Sequence, residues 1–164
     1  MQFNAETDMV FLLGFSDSQQ PDDIREDALA KIKSHPHWES ELLRILGTGY
    51  YEQALTFIAS NGFDHPELFV QPVYKAIMQQ SDEVRKTLRN AHSIYDLYPE
   101  QFSWQTDRIL RTVDRMTDPS AFVPAINMLR AAFEEGSPVQ KPAFQCRLQI
   151  DRWLKRKADK ISTP

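Results

Sequence analysis

Residues Asp22–Gly62 read DDIREDALAKIKSHPHWESELLRILGTGYYEQALTFIASNG, and three helices can be written onto them without a gap. Asp22–Lys33 places Ile24, Ala28, Leu29 and Ile32 on one face. Acids fill its first turn (Asp22, Asp23, Glu26) and lysines its last (Lys31, Lys33), as the helix dipole favours. His37–Leu46 carries Leu42, Leu43, Ile45 and Leu46 and is closed by Gly47-Thr48-Gly49. Tyr50–Ser60 brings Tyr51, Ala54, Leu55 and Ile58 into i, i+3, i+4, i+7 register before Asn61-Gly62 stops it.

The same punctuation runs outward. Pro21, Pro36, Pro66, Pro119 and Pro142 each precede a helical pattern, where proline's missing N–H costs nothing. Pro66–Gln79 reads as a helix kinked at Pro72. Ser81 reads as the N-cap of Asp82–Leu97, with Val84, Leu88, Ala91 and Tyr95 aligned. Gln101–Met116, Ser120–Glu135 with an internal Pro124, and Ala143–Lys160 complete the chain. Ala5–Leu13 is a short helix or a buried strand, since so short an apolar run has no decisive period. With five glycines and no period-2 alternation, an all-β fold is excluded. The expected class is all-α: about eight or nine helices in antiparallel hairpins, as an α-α superhelix or an irregular multi-helix bundle.

At 164 residues and 41% hydrophobic content the chain suits one domain, residues 1–164, with 1–20 as a loosely attached N-terminal segment. Its 26% charged content and apolar periodicity exclude a disordered chain. The longest apolar run, Met9–Leu13, is far shorter than the roughly 20 residues that span a bilayer, and no Lys or Arg precedes it as in a secretory signal. The expectation is a cytoplasmic protein with no membrane contact.

Helix starts near Pro36, Pro66, Gln101 and Pro142 are unevenly spaced. Pro66-Glu-Leu-Phe69-Val70 is echoed by Pro119-Ser-Ala-Phe122-Val123. Within Trp38–Pro66, Trp38, Gly49, Tyr51, Ala54 and Pro66 occupy the places of the Trp, Gly, Tyr, Ala and Pro of a tetratricopeptide unit. Glu41, Leu42, Ile45 and Asn61 depart from that pattern. This segment, about a fifth of the chain, resembles one such repeat. The kinked helices are similar in architecture to HEAT and armadillo arrays. The resemblance implies an α-helical hairpin used as a protein-binding scaffold.

Catalytic motifs are absent. The sequence holds no HExxH, GxGxxG, GxSxG or phosphate-cradling glycine loop. Its four histidines (His35, His37, His65, His92) and single Cys146 lack metal-ligand spacing. Arg147 beside Cys146 points away from it on a helix. No catalytic residue, metal or cofactor is therefore assigned.

Charge is unevenly placed. Residues 1–82 hold 13 acids and 5 Lys/Arg (−8), and residues 83–164 hold 10 acids and 14 Lys/Arg (+4). On Gln101–Met116, Phe102, Ile109, Val113 and Met116 share a core arc, which leaves Trp104, Arg108, Arg111 and Arg115 about 180° away. Trp and Arg dominate interface hot spots, so these four are the candidate partner-binding face. The leading expectation is a non-enzymatic protein-interaction module with an acidic protein partner. The alternatives are a nucleic-acid-binding protein using the basic second half, despite a pI near 5.6, and a small helical enzyme without a recognisable motif. The last helix has two apolar sides: Phe144, Leu148, Ala158 and Ile161 on one, and Cys146, Ile150 and Trp153 on the other. Ile150 and Trp153 are thus candidates for homodimer formation, against insertion of the helix into the chain's own core.

Overall fold

The structure, a computed structural model, describes residues 9–161; the side chains of Lys160 and Ile161 lie outside that description. The described residues form eight α-helices and three short 3-10 turns, with no strand among them, so the fold is all-α. Two compact units result: residues 1–73 with 115–117, and residues 74–114 with 118–164.

The first unit holds α1 (Met9–Phe15), α2 (Asp22–Ser34), α3 (Trp38–Leu46) and α4 (Tyr51–Asn61). Its centre is α4, where Tyr51, Ala54, Leu55, Thr56, Phe57, Ile58 and Ala59 are all buried. Helices α1 and α3 pack on it, and α2 packs on α1. In the α3–α4 hairpin the Trp38 ring meets Phe57 at 5.7 Å between centroids, and the Lys33 ammonium sits 3.5 Å from the Trp38 centroid. Gly62 ends α4 at φ +75°, a left-handed conformation that suits glycine, and its N–H donates to Ile58 O. Residues 9–15 are packed helix, with Leu13 fully buried, and do not form a loosely attached segment. Residues 5–8 of the expected Ala5–Leu13 element lie outside the described residues.

Helix α5 (Val70–Arg89) corrects the sequence reading. Ser81 is no N-cap: it is buried in mid-helix, and its hydroxyl donates to Ile77 O at 2.9 Å. The buried residues Val73, Ala76, Ile77, Gln80, Val84 and Leu88 form one unbroken stripe through that point. Pro72 is the third residue of α5, where no intrahelical N–H is required, so it opens the helix instead of kinking it. The Pro66 and Pro119 echo is structural as well. Pro66–Phe69 and Pro119–Phe122 are both 3-10 turns that lead straight into helices, with Phe69 and Phe122 buried.

Downstream of Arg89 the expected helix does not continue to Leu97. The Asp96 carboxylate accepts the N–H groups of His92 and Ser93, and Ser93 Oγ accepts that of Tyr95. This local capping holds Ile94–Asp96 as a 3-10 turn and leaves Tyr95 87% exposed, not aligned with the core.

The second unit also holds α6 (Ser103–Asp114), α7 (Val123–Ala132) and α8 (Gln145–Ile161). Phe102 precedes α6 at φ +67°, a costly conformation for a side-chain-bearing residue. Its ring packs with Phe133 and Phe144 at 5.9 and 6.2 Å. Helix α8 packs on α6 and α7 through Cys146, Ile150 and Trp153, all fully buried. Ile150 and Trp153 are therefore core residues and offer no surface to a second copy. The Trp153 indole donates to Asp114 Oδ1 at 2.9 Å, and Lys157 donates to the same oxygen at 2.6 Å.

Trp153→Ala is expected to cost about 3–5 kcal/mol in urea unfolding, as for truncation of a buried aromatic. Leu148→Ala on the same helix, at a position 58% exposed, is expected to change stability by less than about 0.5 kcal/mol.

Candidate interaction surface

The four residues read as one open face on α6 do not share it. Trp104 is 46% exposed and Arg111 is half-exposed, but Arg108 is buried, only 4% exposed. Its guanidinium lies 5.1 Å from the Trp104 ring centroid and 2.9 Å from Asp107. Arg115 belongs to the first unit, where Nε and Nη2 donate to the carbonyls of Ala59 and Ser60 at 2.9 and 3.0 Å. It thus satisfies the open end of α4. The wheel arithmetic failed because α6 is covered around most of its circumference, with Thr106, Leu110 and Thr112 buried as well as Ile109 and Val113. The remaining open stripe is Trp104, Asp107, Arg111 and Asp114, in which the single cation, Arg111, stands between two carboxylates.

Half of the other cations of the second unit are engaged in the same way. Arg85 and Arg89 meet Glu135, Arg130 meets Asp151, Arg147 meets Glu134, and Arg156 and Lys157 meet Asp114. Much of the basic charge of this unit is therefore paired with its own carboxylates.

No nucleophile emerges at Cys146. Burial pushes its thiol up to about 11, so the thiolate that would react is scarce at neutral pH. Among the described residues, no group of three or more His, Cys, Asp or Glu is placed to hold a metal ion, and no helix is long and apolar enough to cross a membrane. A polar cavity of about 440 Å³ in the second unit is lined by Glu83, Lys86, Asn90, Asp96 and Gln105 beside Phe102. Its Asp96 is already occupied by backbone N–H groups.

A different surface stands out on the first unit. Helix α1 reads MVFLLGF and has no polar side chain, yet only Met9, Leu12 and Leu13 are buried. Phe11 is 65% exposed and Tyr50 58%, and Phe15 and Ile24 are also open. An all-apolar helix is normally covered on every side. The exposed side forms one wall of a groove of about 510 Å³, lined by Val10, Phe11, Gly14, Phe15, Tyr50 and Gln53. Gly14 is required neither by backbone conformation, because its φ is not positive, nor by crowding, because a Cβ there would meet nothing within 4 Å. Glycine in a helix costs about 0.5–1 kcal/mol relative to alanine, and at Gly14 it leaves the floor of the groove without a side chain. Gln53, also in the lining, has its Oε1 buried away from solvent with no hydrogen-bond partner. The sequence reading missed this surface because it assigned the whole run Met9–Leu13 to the core. The signal was the absence of any polar residue from α1.

No protein-family model, curated protein or solved structure matches the chain.

Two outcomes follow. Arg115→Ala is expected to cost about 1–3 kcal/mol in urea melts, because it strips the donors from two α4 carbonyls. Arg111→Glu is expected to cost less than about 1 kcal/mol.

The third concerns pH. His65 Nδ1 lies 2.6 Å from Glu39 Oε2, and Glu39 Oε1 accepts the N–H groups of Asp64 and His65. Burial pushes the Glu39 carboxyl up, but the bonds from the His65 ring and the two N–H groups outweigh it and hold it below its ordinary value. The hydrogen bond and charge of Glu39 raise the His65 imidazole above its usual range. The raised histidine contributes stability fully below its unfolded value and loses it as pH rises through the folded one. The depressed carboxyl contributes above its unfolded value and loses its share as pH falls through the folded one. The pair is thus strongest between the two titrations. NMR titration is expected to place His65 above 6.5, and Glu39→Gln to return it toward that value.

Proposed function

We propose that this chain is a non-enzymatic protein-interaction module that binds its partner through the aromatic groove of α1. The observation that carries the reading is the exposed cluster Phe11, Phe15 and Tyr50 around a groove that Gly14 also lines. Aromatic anchors gathered at one pocket are the usual energetic centre of a protein interface. The α3–α4 hairpin, which resembles a tetratricopeptide unit, acts as scaffold and buries the α4 core that supports α1. The lone buried thiol suits a reducing compartment, and the module is assigned to the cytoplasm.

Two earlier expectations lose weight. An acidic partner was inferred from a Trp/Arg face, but Arg108 and Arg115 are committed inside their own units. Nucleic-acid binding was inferred from the basic second half, whose arginines largely pair with neighbouring carboxylates.

The test is comparative capture. The full chain is used as bait beside a Phe11→Ser/Tyr50→Ser double variant of unchanged circular dichroism. A protein that the wild type captures and crosslinks at α1, and the variant loses, supports the reading. Identical capture by both, or crosslinks confined to the second unit, overturns it.

A further inference from the structure

The groove also constrains what occupies it. The first unit, over residues 1–73 and 115–117, carries 12 acids against 5 Lys/Arg, a net charge of −7. Two residues after Gln20, which also lines the groove, α2 opens with four carboxylates in six residues; Asp22 pairs with Arg25 and Asp27 with Lys31, which leaves the charges of Asp23 and Glu26 over. A polyanion, whether a nucleic acid or an anionic bilayer, is repelled by such a unit, and a cationic segment is steered to it.

Backbone chemistry narrows the choice further. An extended peptide gains much of its affinity by pairing with a sheet edge, and the described residues contain no strand. A helix satisfies its own backbone and needs from the groove only an apolar wall. Phe11 and Phe15, at i and i+4 on α1, supply that wall together with Tyr50 in the same lining.

We infer that the partner segment is a cationic amphipathic helix, seated with its apolar side against Phe11, Phe15 and Tyr50. This rests on the reading of the chain as a protein-binding module and adds the chemistry of the partner.

The test uses the full chain and a labelled helical peptide of about 18 residues, built from Leu and Lys with one central Trp, its apolar residues at i, i+3, i+4 and i+7. A counterpart carries Glu for every Lys. Fluorescence anisotropy is expected to show the Lys peptide bound about tenfold or more tightly than the Glu peptide, with affinity falling as salt rises from about 50 to about 300 mM. Gly14→Trp, which fills the groove from within, and Phe11→Ala are each expected to weaken binding about tenfold. Equal binding of the two peptides, or binding indifferent to both Gly14→Trp and Phe11→Ala, overturns the cationic helix. If the capture experiment succeeds alongside such a result, the module reading stands and only the partner class falls. Phe11-dependent binding to vesicles of anionic lipid, without peptide binding, would overturn the inference in favour of a lipid surface.

Discussion

The burial of α4 on every side is the constraint around which the first unit is arranged. A helix whose Tyr51, Leu55, Phe57 and Ile58 all lie inside requires cover from more than one direction. Helix α3 supplies one layer through Trp38 on Phe57, and α1 supplies another through its inner residues. Each large apolar side chain so buried contributes about 1.5–3 kcal/mol relative to exposure, so α1 is held in place by α4 more than by its own seven-residue length. That placement turns the outer half of α1 to solvent. The exposed aromatics are thus a direct consequence of how α4 is covered, combined with a composition that gives α1 no polar side.

The second unit solves a different problem. Its helices carry many cations, and the fold uses them locally. Asp114 is the clearest case: it accepts the Trp153 indole and Lys157, and Arg156 lies 3.9 Å away. A carboxylate at the C-terminal end of α6 opposes the helix dipole, and the surrounding cations offset that cost. Phe102 follows the same logic. Its left-handed backbone is tolerated because its ring completes a cluster with Phe133 and Phe144, whose own centroids are 5.4 Å apart.

Much of this fold was legible where punctuation was strong. Asp22–Ser34, Trp38–Leu46 and Tyr51–Asn61 fall within a residue or two of the sequence expectation, because Pro, Gly and Asn mark their ends. The all-α class followed from the same marks. What misled was residue chemistry with two uses. A serine oxygen can accept from a helix start or donate back to the carbonyl four residues earlier. At Ser81 only the continuity of Val73, Ile77, Val84 and Leu88 decides between them. Proline is equally ambiguous: Pro72 and Pro124 sit inside apolar patterns, yet each falls in the first turn of its helix. Arg108 failed for a third reason. A helical wheel gives directions and does not say how wide an arc is covered, and a long aliphatic stem with a paired guanidinium can be buried.

The charge asymmetry of the sequence has opposite fates in the two units. In the second, 14 Lys and Arg face 11 acids, and eight of those cations lie in ion pairs along α5, α6, α7 and α8, so the charge is dispersed and the remaining surplus is only three. In the first, acids outnumber cations by seven, so pairing one to one leaves carboxylates over even if every cation is used. Asp22 is paired with Arg25, but Asp23 beside it gains from the N-terminal dipole of α2, which stabilises it without neutralising its field. The negative field therefore persists on the unit that also exposes Phe11, Phe15 and Tyr50. An apolar groove alone would attract any greasy surface, whereas an apolar groove on a strongly negative unit rejects anionic ones and favours a cationic amphipathic segment. The specificity lies in that combination, because the hydrophobic term is non-directional and the electrostatic one is selective.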